Sequence, residues 1–231
     1  MRRSLVLVGA AVAAAACAGR RLVNPWQRNW GATQAEVDSV LPGDGLIAAP
    51  VEQCTRAITI AASPEDVWPW LVQMGADRAG FYSYDWLENL FGLDIHNADS
   101  VVHEWQQLEV GDIVWADGAL TGGWVVERLV PGDALVMKVA DVRTGRAVTR
   151  NEGVGFEFQW TFAVRPTPAG GSRLIIRERV AYGRRLTRWV MSPVGLVSFV
   201  MTRKMLDGIR RRAEQATTGD RSGSPDHRDR A

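Results

Sequence analysis

The alternation of apolar and polar positions along the chain predicts a set of antiparallel strands. In Phe156–Val164 the two kinds of side chain alternate at every step, which is the period of a half-buried strand. Leu174–Tyr182 alternates in the same way, with arginines on its polar face. Two apolar runs flank Pro131-Gly132-Asp133, which is typical of a hairpin turn. The predicted strands are 51–60, 110–116, 123–130, 134–140, 156–164 and 174–182.

Three segments have the pattern of helices. Ser63-Pro64-Glu65-Asp66 offers an N-cap, a first-turn proline and acids where the helix dipole favours them, so a helix is predicted from there to Gly75. A second short helix is predicted over 84–90. The last begins at Ser192-Pro193, is apolar nearly all round at first, and ends in arginines at 210–212.

The order of these elements predicts the fold class. An antiparallel sheet with one apolar face must cover that face, and the long C-terminal helix is the element apolar and large enough to do so. The sequence therefore predicts an α+β helix-grip fold over residues 50–216. In this fold a curved antiparallel sheet wraps around the C-terminal helix, and two short helices follow the first strand. We expect a cavity where side chains fail to fill the space between sheet and helix.

The first 19 residues have the pattern of a signal peptide or a short membrane anchor. A basic start precedes an apolar, alanine-rich run, which is shorter than the roughly 20 residues of a spanning helix. Cys17 after three alanines suits a bacterial lipoprotein site, although Ala14 stands where a leucine is usual. Cleaved lipoprotein, uncleaved anchor and plain secretion stay open. We expect a membrane-associated or exported protein of the cell envelope.

The segments on either side of the predicted domain differ in character. Residues 20–49 form a connector, and its Trp26 and Trp30 beside basic residues suit either a membrane interface or a strap packed on the domain. Residues 217–231 are polar and charged, which predicts a disordered tail.

Composition narrows the possible partners. The chain has 231 residues, and its 27 basic and 26 acidic residues leave a net charge of +1. This gives no overall field for holding nucleic acid, and we expect a monomer. Of two cysteines only Cys54 lies in the predicted domain, which therefore has no internal disulfide. Ten tryptophans indicate either a large core or an aromatic-lined cavity.

Three sequence segments resemble a known superfamily. Ile58–Trp68 (ITIAASPEDVW) is similar to the opening strand and helix, commonly I-x-I-x-A-x-P-E-x-V-W, of the SRPBCC or START-like superfamily, which includes polyketide cyclase-like and birch-pollen-allergen-like proteins. Trp70–Gly75 and Arg78–Asn89 resemble an uncharacterised bacterial branch whose members often carry a hydrophobic N-terminus. The resemblance covers residues 51–214 and implies the helix-grip fold. The superfamily holds lipid carriers, hormone receptors, cyclases, aromatases and oxygenase subunits, so it does not settle the function.

We expect neither a metal nor a cofactor. Asp94, His96, Asp99 and His103 lie close together in the sequence, but their spacing matches neither a helical zinc site nor a facial triad. The sequence also lacks a GxSxG nucleophile elbow, a phosphate-binding glycine loop and a dinucleotide fingerprint.

Acid–base chemistry has two candidate locations. By parity Glu178 lies on the inward face with Ile176, where a carboxylate would have a perturbed pKa, so it is the candidate catalytic residue. A bulge near Ile175-Ile176, which we favour, would turn Glu178 outward instead. The second location is a group of polar residues at the expected cavity mouth, namely Tyr82, Tyr84, Asp85, Glu88 and Asn89. In the alternative interpretation, the tyrosines of this group cap the core and its acids face solvent.

The leading hypothesis is that the chain binds or transports a hydrophobic small molecule, such as a lipid, an isoprenoid or a polyketide-like compound, in an internal cavity at the cell envelope. One alternative is a cyclase or dehydratase-type enzyme that uses Glu178 or the tyrosine and acid group. Another is a membrane-tethered interaction module with no working pocket. The expected ligand contacts are Tyr82, Tyr84, Trp86, Trp105, Trp115, Trp124, Met137, Trp160, Glu178 and Met205.

Overall fold

A computed structural model of the chain describes residues 26–84, 86, 89, 92, 94–151, 155–183 and 194–222, without the side chains of 194–196 and 219–222. The helices are α1 (Gln34–Asp38), α2 (Pro64–Val72) and α3 (Val194–Ser222), with 3-10 turns at Asp44–Leu46 and His103–Trp105. The strands are β1 (Glu52–Ile60), β2 (Ile113–Trp115), β3 (Gly123–Val130), β4 (Ala134–Asp141), β5 (Arg146–Ala147), β6 (Phe156–Pro166) and β7 (Ser172–Tyr182).

Within the described residues the strands form one antiparallel sheet in the order β1-β7-β6-β4-β3-β2, with β5 paired to β4. The first strand, β1, thus forms one edge of the sheet and lies beside the last strand, β7. The predicted hairpin between β3 and β4 is confirmed. The predicted short helix over 84–90 lies mostly outside the described residues, although Trp86 and Asn89 are helical.

Strand β7 pairs without interruption on both sides, from Ser172 to Val180 with β1 and from Ser172 to Tyr182 with β6. The bulge that we favoured near Ile175-Ile176 is therefore wrong. Without it the parity of the strand holds, and Glu178 points to the same face as Leu174 and Ile176.

Helix α2 begins where its sequence predicts. The Ser63 hydroxyl accepts the Asp66 backbone N–H at 3.3 Å, and the Asp66 carboxylate accepts the Ser63 backbone N–H at 3.2 Å. This reciprocal capping box satisfies two N–H groups that a helix start leaves without partners.

Helix α3 packs on the concave face of the curved sheet, and the predicted helix-grip fold is confirmed. At Gly208 the helix closely approaches the segment that follows α2, where a Cβ atom would lie 2.4 Å from the Tyr82 carbonyl oxygen. Only glycine permits this contact. The core between helix and sheet is formed by buried side chains of both, which include Ile58, Ile60, Phe162, Leu174, Met205, Leu206 and Ile209.

The connector runs along the outer edge of β1 at Trp30 and then crosses the convex face of the sheet over residues 36–44. The backbone N–H of Ala57 donates to the Trp30 carbonyl at 3.1 Å. Leu41 from this segment forms a second small core with Ala57 and Ile175. Part of the connector therefore packs on the domain, while both interpretations of its tryptophans and the domain boundary at residue 50 stay predictions.

The C-terminal helix is longer than predicted. It continues to Ser222, so the first residues of the expected tail, 217–222, are helical. The Thr217 hydroxyl lies 3.0 Å from the Ala213 carbonyl and 3.3 Å from the Asp66 carboxylate, and it can donate to either, which places this turn beside the start of α2. Residues 1–25 and 223–231 lie outside the described residues, so the signal peptide, anchor or lipoprotein site stays a prediction.

Candidate functional site

The concave face carries its polar chemistry in one row across the sheet. Glu178 on β7 lies directly opposite Cys54 on β1 and Trp160 on β6. Because opposed residues in an antiparallel pair share a face, all three side chains point toward α3. Trp160 is in turn opposite Met137 of β4.

An aromatic cluster surrounds this row on its β3 side. The Trp160 ring centroid lies 5.3 Å from that of Trp124 and 4.9 Å from that of Phe162. Phe81 contacts both tryptophans, at 5.7 Å from Trp124 and 6.3 Å from Trp160. Phe162 is fully buried, whereas Trp124, Phe158 and Trp160 are only half-buried. The core is therefore closed at Phe162 and open toward Phe158, and we call the half-buried side chains of Trp124, Phe158 and Trp160 the aromatic end.

The indole N–H of Trp160 is a buried donor without an acceptor among the residues the structure describes. A buried donor left unsatisfied costs about 1–3 kcal/mol, so it is a favourable place for an oxygen atom from outside the chain.

Glu178 is held by three side chains. Its carboxylate accepts from the Arg56 guanidinium at 2.9 Å and from the Thr202 hydroxyl at 3.1 Å, and the Ser198 hydroxyl lies within 3.4 Å of both its oxygens. The Arg56 and Glu178 side chains are 3% and 9% exposed, so the ion pair is buried. Arg56 also donates to the Gln27 carbonyl at 3.0 Å and lies over the Phe199 ring. The pair links the strap, the sheet and α3.

Cys54, the neighbour of Glu178, is a protonated thiol at neutral pH. Burial, and after it the negative charge of Glu178, raises the pKa of Cys54 to about 11. Since the thiolate is the nucleophilic form, this environment is that of a structural cysteine.

Three predicted ligand contacts lie inside the core. Met137, Met205 and Tyr82 are fully buried. The Tyr82 hydroxyl donates to the Trp70 carbonyl at 3.0 Å and accepts from the Gln73 amide at 3.0 Å, and burial raises its pKa. Tyr82 therefore caps the core and does not line a cavity mouth. This is the second of the two alternatives that the sequence left open for the tyrosines.

The other predicted aromatic contacts are spread over the surface. Trp115 pairs opposite Gly123 while its neighbour Val114 pairs opposite Trp124, so Trp115 points to the convex face, away from Trp124 and Trp160. Trp86 is 68% exposed, and Trp105 packs against the margin of the core. Tyr84 lines a groove beside α3. The structure brings together Trp124, Trp160 and Glu178 from the predicted set.

The tyrosine and acid group has no shared site among the described residues. Asp85 and Glu88 lie outside them. Asn89 bonds both backbone groups of Ile95, accepting from its N–H at 2.7 Å and donating to its carbonyl at 3.0 Å, which is a loop-closing contact.

The histidines and acids tested for a metal site are dispersed. His96 and Asp94 form an exposed pair at 3.3 Å, and Asp99 bonds Arg212 at 2.7 Å. Across the described part of the chain, no three His, Cys, Asp or Glu side chains stand together as a metal would need. Nor is any helix there long and apolar enough to cross a membrane.

The sequence reasoning missed Arg56, Phe81, Ser198 and Thr202. Arg56 could have been found, because it alternates with Ile58 and Ile60 on β1 and therefore faces inward. The contacts of Ser198 and Thr202 with Glu178 join positions at least 20 residues apart, and no local pattern reports them.

Comparisons with known proteins give similar structures but no family. No family model matches the chain, and no curated protein matches it. A solved protein of Mesorhizobium loti is similar at 16% identity and a TM-score of 0.40, over 69% of this chain and 98% of that one. A point mutant of norcoclaurine synthase from Thalictrum flavum, in complex with a transition-state analogue, is similar at 13% identity and a TM-score of 0.44, over 73% and 98%.

A protein of the dynemicin biosynthetic locus is similar at 14% identity and a TM-score of 0.40, over 68% of this chain and 47% of that one. At these identities and scores the likenesses describe only a general shape. The helix-grip assignment rests on the sheet order and on the packing of α3 against the concave face.

Proposed function

We propose that this chain binds a hydrophobic small molecule at the aromatic end of its concave face, as a carrier or sensor within the SRPBCC or START-like superfamily. The sequence motif at Ile58–Trp68 and the helix-grip fold support the superfamily. A lipid, isoprenoid or polyketide-like compound suits the site. The proposal places the protein at the cell envelope, because residues 1–19 have the pattern of an export signal or anchor.

The observation that carries the proposal is the pair of half-buried tryptophans, Trp124 and Trp160, above a buried ion pair. Aromatic side chains bury about 150–250 Å² each, so their uncovered part offers an apolar ligand a substantial contact area. The unsatisfied indole N–H of Trp160 adds one directional contact. We therefore expect the ligand to present a carbonyl or hydroxyl oxygen at one point of an apolar body.

In this proposal the Glu178 side chain forms a fixed part of the site's lining. Its Oε1 accepts from Arg56 and Thr202, and its Oε2 lies 3.3 Å from the Ser198 hydroxyl. These contacts hold the carboxylate in place beside the aromatic end. The cyclase or dehydratase alternative would require Oε2 to exchange a proton with the ligand.

A titration with Nile red, an apolar dye that carries a carbonyl acceptor, tests the proposal. We expect saturable binding at one dye per chain. Replacing Trp160 by Phe keeps one aromatic ring and removes the five-membered ring with its N–H, and should weaken binding by at least roughly fivefold, the effect of losing one neutral hydrogen bond. Trp124→Ala, which removes the contact surface, should weaken it on the order of tenfold or more.

The matched control is Trp115→Phe, since Trp115 is also a half-buried sheet tryptophan but points to the convex face. It should leave the dye affinity unchanged. Dye binding that does not saturate, or that all three substitutions weaken equally, would rule out the aromatic end as the site.

A further inference from the structure

The solvent-facing side of α3 carries two kinds of residue in sequence. Val197 and Val200, one turn apart, are 46% and 41% exposed. One turn further on, the face becomes basic. We call this face the α3 stripe; it consists of Val197, Val200, Arg203, Lys204 and Arg211.

Among the described residues, the three cations of the stripe, Arg203, Lys204 and Arg211, form no ion pair. They line a surface groove of about 440 Å³ with Tyr84 and with Arg210 and Asp207, which pair with each other at 2.9 Å. Three uncompensated cations around a groove attract negative charge.

Aromatic side chains flank the stripe on both sides. Lys204 lies over the Tyr84 ring at 5.3 Å, and Tyr84 contacts Trp86. On the other side Trp26 packs on Phe199 and remains 54% exposed. Exposed tryptophans beside valines and basic side chains are typical of surfaces that lie at a membrane interface.

The N-terminal segment also leads to this face. Trp26, at its edge, follows the apolar run that ends at Gly19 by seven residue steps. Seven steps span at most about 25 Å. The end of the apolar run therefore lies within about 25 Å of Trp26.

We infer that the α3 stripe, flanked by Trp26 and Trp86, is the face on which this protein lies against a bilayer that contains anionic lipid. The basic side chains would contact the headgroups, while the valines and tryptophans enter the interface. A second copy fits less well, because a symmetric contact would oppose the three cations to themselves. This inference uses the proposed membrane location and does not depend on the ligand site.

Vesicle sedimentation of the full chain tests the inference, with phosphatidylcholine vesicles that do or do not contain phosphatidylglycerol. We expect tighter binding to the anionic vesicles. The triple variant Arg203→Gln, Lys204→Gln, Arg211→Gln should lose on the order of 100-fold in partitioning to them, at roughly fivefold for each basic side chain near an anionic surface. The single variant Arg211→Glu, at an exposed position, should show a loss of the same sign.

The matched control is Arg128→Gln, Arg143→Gln, Arg146→Gln, which removes the same charge from exposed positions elsewhere. It should keep most of the binding. Equal losses in both triple variants, or no loss in either, would overturn the inference, because net charge or residues 1–19 alone would then account for binding. Self-association that only the stripe variant abolishes, without a vesicle effect, would assign the face to a second copy. Nile red titration of the same variants distinguishes this failure from a failure of the ligand site.

Discussion

Arg177 joins the N-terminal strap to the sheet, and its replacement is the sharpest test of that packing. The side chain is 1% exposed on the convex face of β7. Its guanidinium donates to three strap carbonyls, those of Glu36, Val37 and Ser39, at 2.7–3.0 Å. It also bonds the Asp44 carboxylate at 2.6 Å and the Thr55 hydroxyl at 3.0 Å.

The substitution Arg177→Met keeps most of the aliphatic length and removes all five hydrogen bonds. The three carbonyls are left without this donor, and Asp44 retains the Arg179 guanidinium at 3.1 Å. Removing one member of a buried ion pair costs about 3–5 kcal/mol, since the groups left behind stay desolvated. We expect this loss in the free energy of unfolding. The free energy of unfolding of Arg177→Lys should lie between those of the unchanged chain and of Arg177→Met, because an ammonium group cannot reach all five acceptors.

Urea denaturation of the full chain measures the effect, with Arg146→Met as the control. Arg146 is an exposed arginine in β5, and its replacement should change the free energy of unfolding by less than about 0.5 kcal/mol. An Arg177→Met variant within about 1 kcal/mol of the unchanged chain would refute the reasoning. It would show that these five hydrogen bonds contribute little to stability.

Three further results are expected. Glu178→Leu leaves Arg56 as a buried cation and should cost about 3–5 kcal/mol in urea denaturation, while the double variant with Arg56→Met should recover most of it; a double variant as unstable as the single one would contradict this. The hydrogen bond from Arg173 holds the pKa of Glu36 below its ordinary value of 4.5, so the contribution of this pair is complete above that pH and is lost as the pH falls through the lower folded-state pKa. The difference in unfolding free energy between the unchanged chain and Glu36→Gln should therefore shrink with acidification, and a constant difference would argue against the pair. Finally, with its pKa near 11, Cys54 should react with iodoacetamide at about pH 8 roughly 100-fold more slowly than in the urea-unfolded chain, measured by peptide mass mapping; equal rates would show an accessible thiolate.

The order of strands and helices was predictable because each depends on local pattern. Alternation in Phe156–Val164 and the N-cap of Ser63 involve neighbours only, and both are confirmed. The doubt about Glu178 came from two adjacent isoleucines. Ile176 faces the main core and Ile175 the small core under the strap, so both are buried and the alternation of exposure is hidden. The parity itself was correct.

Contacts across the fold were not predictable. The alternation of arginines in β7 is typical of a solvent-exposed face. Arg177 is nevertheless buried, because its guanidinium donates hydrogen bonds to carbonyls of the strap. Trp115 was expected inside, but β2 has only three residues, and only its pairing with β3 decides the face. The same holds for Tyr82, whose hydroxyl finds partners in α2 and just beyond it.

Native mass spectrometry of the full chain, purified gently from the cells that produce it, tests the central claim most directly. We expect one apolar molecule per chain, recovered chemically unchanged by organic extraction. The adduct should be reduced in Trp124→Ala and retained in Trp115→Phe. A chain that carries no adduct and does not bind Nile red, or an adduct that the protein converts on incubation, would contradict the proposal of a carrier.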